Sequence, residues 1–188
     1  IHIGVGSSGD INIPADIGLT FGDDGEKIEG DGVNLTINSG GALTLDATVV
    51  KFDTGTGNID FQTCAAGFTL GTPTYNASDT DVDFGTGNKQ FVTFGAGNIT
   101  DLNLIFPKVT GNFVLMLKQD GTGSRTVTNY KVWDRSNSVA ASGSATVKFA
   151  GGSNPDLTDD ANHVDIISFF YDDINEIAYG VASLDFQF

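Results

Sequence analysis

The stretch DLNLIFPKVTGNFVLMLKQDG, residues 101–121, decides the fold class. Leu102, Leu104 and Phe106 recur at every second position, and after a break bearing Pro107 and Gly111 so do Phe113, Leu115 and Leu117. A period of two puts such residues on one side of an extended chain, whereas a helix would need apolar groups three and four apart. The Asp120-Gly121 pair that follows supplies residues tolerant of the positive φ of tight turns. The same alternation recurs upstream, where Leu43, Leu45, Ala47 and Val49 share one side and Thr44, Asp46 and Thr48 the other. From Val164 to Tyr171 both sides are apolar, which predicts a central strand covered on both faces. Asp24-Gly25 and Asp31-Gly32 read as further turns. Gly or β-branched residues interrupt every candidate helical window. The expected class is all-β.

Composition agrees. The 188 residues include 25 Gly and only 4 Pro; 39% are hydrophobic, enough for a core, and only 18% are charged. A formal net charge of -15, with nine scattered Lys and Arg, argues against nucleic acid or an anionic membrane as partner, because phosphates would be repelled. Such acidity favours solubility and suits high salt, where screening is strong. One cysteine, Cys64, rules out an intrachain disulfide. No apolar run is long enough to span a bilayer as a helix, so membrane insertion is not expected. The start at Ile1, without methionine or signal peptide, leads us to expect further chain upstream.

The two halves differ. Residues 1–78 hold short, thin apolar runs such as IGLTF, VNLTI and ALTL, with too few large side chains for a private core. Such units bury their apolar side by stacking on neighbours or on identical chains. The expectation for 1–78 is a slender, intertwined, β-prism-like segment of a homotrimer. A phrase recurs with variation as FDTGTGNI at Phe52, FGTGNK at Phe84 and FGAGNI at Phe94. Residues 79–188 are richer in aromatics and predict an antiparallel β-sandwich, with the boundary in GTPTYNASD.

Chemical motifs are few. Gly4, Gly6 and Gly9 have dinucleotide-fingerprint spacing, but DINIPAD follows them, where a phosphate-binding helix would have to begin. Asp79, Asp81 and Asp83 open like a calcium loop; Phe84 and Gln90 stand where a helical calcium loop needs Gly and Glu. Three carboxylates on one side of a strand are either solvated or bridged by a cation, so calcium is a candidate at Asp79, Asp81 and Asp83. His2 and His163 are the only histidines, and no Gly-x-Ser-x-Gly elbow is present. His163 opens the apolar run HVDIISFF and is expected at a strand end. Asp156, Asp159, Asp160, Asp165, Asp172, Asp173 and Glu176 crowd the last third, and two acids at a suitable separation could serve glycoside hydrolysis. With so many acids present, chance crowding explains them better, and no catalytic residue is assigned. The sequons at Asn34, Asn76 and Asn98 are given no weight in a chain this rich in Asn and Thr.

Several longer phrases carry a resemblance. PADIGLTFGDDGEKIEGDGVNLTI (14–37), FVLMLKQDGTGSRTVT (113–128), KFAGGSNPDLTDDANHVDIISFFYD (148–172) and YGVASLDFQF (179–188) together resemble tail-fibre and virion structural proteins of marine bacteriophages, of the cyanophage and pelagiphage kind. They cover more than half the chain. Phe149 stands where relatives often carry Trp, so an aromatic is kept and packing is the role implied. The resemblance implies a virion location, a homotrimer attached to other tail proteins, and a distal β domain meeting a host surface glycan or outer-membrane receptor. It transfers no catalytic residue. WDRSNSVAASGS, from Trp133, is a polar excursion suited to a receptor-facing tip, which makes Tyr130, Trp133, Arg135 and Asn137 candidate contacts. Tyr130 and Trp133 could equally complete the core, since large aromatics are usually buried. The competing expectations are a head fibre or capsid decoration protein, a polysaccharide-degrading tail spike, and a secreted calcium-binding adhesin.

Overall fold

A computed structural model describes residues 4–5, 11–12, 17–21, 23–47, 50, 66–134 and 147–188. The described residues contain strands, turns and extended chain but no helix. The chain is all-β, as the period of two predicts. It divides into two units, Ile1–Gln62 and Thr63–Phe188.

In the first unit, β1 (Gly4–Val5) pairs antiparallel with β2 (Ile11–Asn12). A second sheet holds β3 (Leu19–Phe21), β4 (Asp23–Gly30) and β5 (Leu35–Asn38), antiparallel in that order. The Asp31-Gly32 turn between β4 and β5 forms for a local reason. The Asp31 carboxylate accepts the Val33 and Asn34 backbone N–H groups at 2.8 and 2.6 Å, and Gly32 takes φ +88°. Those hydrogen bonds also pull the Asp31 carboxyl below the usual carboxylate range. Asp24-Gly25 is not a free turn: it lies within β4, at a register shift against β3. Packing is sparse here. Ile17, Leu19, Phe21, Val33, Leu35, Ile37, Leu43 and Leu45 are all exposed, and every buried apolar residue described belongs to the second unit.

In the second unit a six-stranded sheet has the order β12-β14-β13-β10-β8-β6, and a three-stranded sheet the order β11-β9-β7. Their ranges are β6 Leu70–Gly71, β7 Asp79–Asp83, β8 Lys89–Thr93, β9 Ile99–Phe106, β10 Gly111–Lys118, β11 Val127–Asp134, β12 Lys148–Phe149, β13 Val164–Asp172 and β14 Ile177–Phe186. From β6 to β11 the chain passes alternately from one sheet to the other. Strands β6, β8 and β10 therefore run parallel, and so do β7, β9 and β11. Only β13 and β14 add antiparallel pairs, against β10 and each other. The expectation of an antiparallel arrangement is corrected: most pairings in this unit are parallel. Each strand from β6 to β9 is followed by a crossing rather than a hairpin, so its neighbour in the sheet is two strands on, not the next.

The recurring phrase marks these crossings. FGTGNK carries the chain from β7 to β8 and FGAGNI from β8 to β9, and Phe84 and Phe94 turn into the core as each strand ends. The copy at Phe52 lies outside the described residues. The alternating residues Leu102, Leu104 and Phe106 of β9 and Phe113, Leu115 and Leu117 of β10 all join one core with Ile167, Phe169 and Tyr171 of β13. The two sheets thus share a core. Strand β13 has a neighbour on each side, but it is covered on one face only: Ser168 and Phe170 are exposed.

The boundary also moves. Residues 66–78, expected to be fibrous, belong with the second unit: β6 pairs with β8, and the Tyr75 hydroxyl donates to the Gly97 carbonyl at 3.0 Å while its ring packs on Phe94.

Candidate functional site

The outward face of the three-stranded sheet gathers polar side chains from three distant segments. Parallel register aligns Asp79 with Asp101 and Asn129, then Asp81 with Asn103 and Lys131, then Asp83 with Ile105 and Trp133. Alternation explains the sorting, since Thr80, Val82, Leu102, Leu104, Tyr130 and Val132 point the other way, into the core.

Asn103 joins the rows. Its side-chain amide donates to Asp81 Oδ1 at 2.8 Å and to Asp79, and its Oδ1 accepts the Trp133 indole N–H at 2.8 Å. Asp101 accepts Lys131 Nζ at 2.6 Å and Asn129 Nδ2 at 2.8 Å. These bonds, Lys131 first, hold the Asp101 carboxyl below the usual carboxylate range. The result is a pre-ordered polar face of carboxylates, amides, one ammonium and one indole. Such a face can exchange hydrogen bonds with a hydroxyl-rich ligand and offer part of a ring to stack on it.

Asn103→Ala removes the acceptor for the indole and the donor between two carboxylates. It is expected to cost about 1–2 kcal/mol in unfolding free energy. Trp133 is the single tryptophan, so the emission of the folded variant should move to longer wavelength as the ring loses its anchor. An unchanged spectrum would show that the indole is held by packing alone.

The candidate residues from the sequence separate here. Trp133 is half-buried and lies on this face. Tyr130 is corrected: it is in the core, 2% exposed, with its ring edge-on to Phe149 at 5.0 Å, and it offers no surface to a receptor. Burial, with a smaller contribution from Asp165, pushes its hydroxyl pKa up. Arg135 and Asn137 lie outside the described residues. The calcium arrangement at Asp79, Asp81 and Asp83 does not assemble. An amide group, not a gap, sits between Asp79 and Asp81, and Asp83 Oδ1 accepts its own loop's Gly85 N–H at 2.7 Å. The residues present do not fit the ion.

The acids of the last third also have local tasks. Asp165 is fully buried and accepts the backbone N–H groups of Thr158 at 2.9 Å and Asp185 at 3.0 Å. Asp172 caps its own turn, accepting from Ile174 N–H and from Asn175, and its carboxyl is pulled down by those bonds. His163 stands at the start of β13 and pairs with Asp185 Oδ1 at 2.7 Å, which, with Thr158, lowers the Asp185 carboxyl. With Asp160 these two form the described group whose ligand-type atoms converge, within 4.8 Å of one another. Asp160 and Asp185 are exposed.

Asp101, Asn103, Asn129 and Lys131 were not singled out by sequence. Their signal was the alternation itself, which sets them outward; the register that brings residues 79, 101 and 129 into one row is not written locally. Comparison of the chain with family models, with curated proteins and with solved structures gave no match.

Proposed function

We propose that this chain is a homotrimeric fibre component of a phage virion, acting outside the cell, with its first unit as the shaft and its second meeting the host surface. One observation carries the reading: the first unit forms a three-stranded antiparallel sheet, yet all its large apolar side chains described remain exposed. An isolated three-stranded sheet needs a covered apolar face to be stable in water. Identical chains wound together supply that cover without any further protein, and the marine-phage phrases of the sequence point the same way. Host contact falls to the polar face around Trp133 and to the excursion that follows it, where many weak contacts to surface glycan or an outer-membrane receptor gain from threefold avidity.

Light scattering on the purified chain tests this. A mass of three times 19.6 kDa is expected. A folded species of 19.6 kDa would sink the trimer and move a monomeric decoration protein or adhesin ahead.

A further inference from the structure

The two outer faces of the second unit differ in kind. The three-stranded sheet displays Asp79, Asp81, Asp83 and Asp101. The six-stranded sheet displays Phe91, Val114, Met116, Phe170, Tyr179 and Val181. These six residues occupy adjoining rows: Met116 aligns with Phe91, Val114 and Val181 align with Ser168 from either side, and Phe170 aligns with Tyr179. At the outward positions of β8, β10 and β13 the one carboxylate is Asp172, already folded onto its own turn. Of the three lysines of the face, two are held against rings, Lys89 Nζ 5.6 Å from the Phe68 centroid and Lys118 Nζ 3.7 Å from that of Phe188, and Lys148 aligns with Tyr179 at the sheet edge.

We propose that this apolar face turns to the threefold axis and is covered by the other two copies of the same chain. The inference rests on the homotrimer reading and adds to it the surface through which the second units meet. Charge selects the occupant. Copies that each carry a net charge of -15 repel one another, and a face cleared of free carboxylates is where they can touch at least cost. With the three apolar sheets turned to the threefold axis and the acidic sheets about 10 Å further out, the acidic faces point away from one another and stand beyond a Debye length of about 8 Å. Area agrees. Phe170 at 46%, Tyr179 at 46%, Phe186 at 45% and Phe188 at 73% exposed offer together roughly 400 Å² at about 200 Å² per ring. That is about half of what one partner gives to a standard interface of ~800 Å² per side, before the aliphatic residues are added.

Hydroxyl-radical footprinting of the full chain, at a concentration where light scattering gives the multimer, reads the face directly. Phe170 and Tyr179 should be labelled at least about threefold less than their exposure in one chain would give, with the freely exposed Ile174 as internal reference. The Val181→Glu variant, at a position 60% exposed and so tolerant of the change, should restore their labelling. A multimer whose Phe170 and Tyr179 label in full proportion to that exposure overturns the proposed face and leaves the homotrimer standing. A monomer overturns the homotrimer, and the proposed face with it.

Discussion

Replacing Phe106 by Ala is expected to lower the unfolding free energy of the second unit by about 4 kcal/mol, near the upper range for a single core substitution. Phe106 is fully buried at the end of β9 and is the ring on which the two sheets meet. It stacks on Tyr171 with centroids 4.4 Å apart and on Phe84 at 5.0 Å, and meets Phe113 at 5.3 Å and Phe169 at 6.0 Å edge-on. Three of these rings belong to the facing sheet and are anchored by ladders of backbone hydrogen bonds, so they cannot close over the space left behind. The lost transfer free energy therefore adds to a cavity that stays open. Equilibrium urea unfolding of the variant and of Ile174→Ala, a change at a turn residue 89% exposed, separates the outcomes. Ile174→Ala should stay within about 0.5 kcal/mol of the parent. A loss below about 1.5 kcal/mol for Phe106→Ala would mean that the sheets collapse onto the gap and that the aromatic cluster is not what joins them.

Gly123→Ala should cost about 3 kcal/mol, for a backbone reason. Gly123 takes φ +78°, where an L side chain is strained. A Cβ there would also come within 2.2 Å of the Asp159 carbonyl oxygen and 2.9 Å of the Ala161 nitrogen, both backbone atoms that cannot rotate away. The loop has little freedom to yield. Asp120 accepts the Thr122 and Gly123 N–H groups at 2.9 Å and the Arg125 guanidinium at 2.8 Å. Gln119, fully buried, grips Arg125 from both sides, accepting its N–H at 2.7 Å and donating to its carbonyl at 2.9 Å. Gly121→Ala is the matched control, because a Cβ there meets nothing within 4 Å. Thermal unfolding should place G123A roughly 10 °C below G121A. Equal midpoints would show that the loop shifts bodily and that the close approach to Asp159 is not a constraint.

Much of the fold is legible in particular residues. Leu102, Leu104 and Phe106 predict their own burial, because the polar Asp101 and Asn103 alternate with them and a period of two puts the two sets on opposite sides of the strand. The Asp31-Gly32 turn is equally local, needing only a side-chain acceptor two and three residues before its donors. The thinness of the first unit is visible as short apolar runs, and every large apolar side chain described in it is exposed. Other features were legible as a pattern whose meaning was not. FGTGNK and FGAGNI stand out as a repeat, but nothing in either phrase says that it turns the chain from one sheet to the other.

The sequence by itself determined the class, the inward residues of β9 and β10, the Asp31-Gly32 turn and the net acidity, because these follow from spacing and composition within a few residues. Tertiary structure alone decided that Asp79, Asp101 and Asn129 form one row, that β6, β8 and β10 run parallel, and that residues 66–78 belong to the second unit. Parallel and antiparallel partners satisfy the same backbone groups and bury the same alternating side chains, so periodicity cannot choose between them. The choice falls to contacts between residues far apart in the chain. The ring stack of Phe106 on Tyr171 and the bond from Trp133 to Asn103 are two that the choice of neighbours brought about.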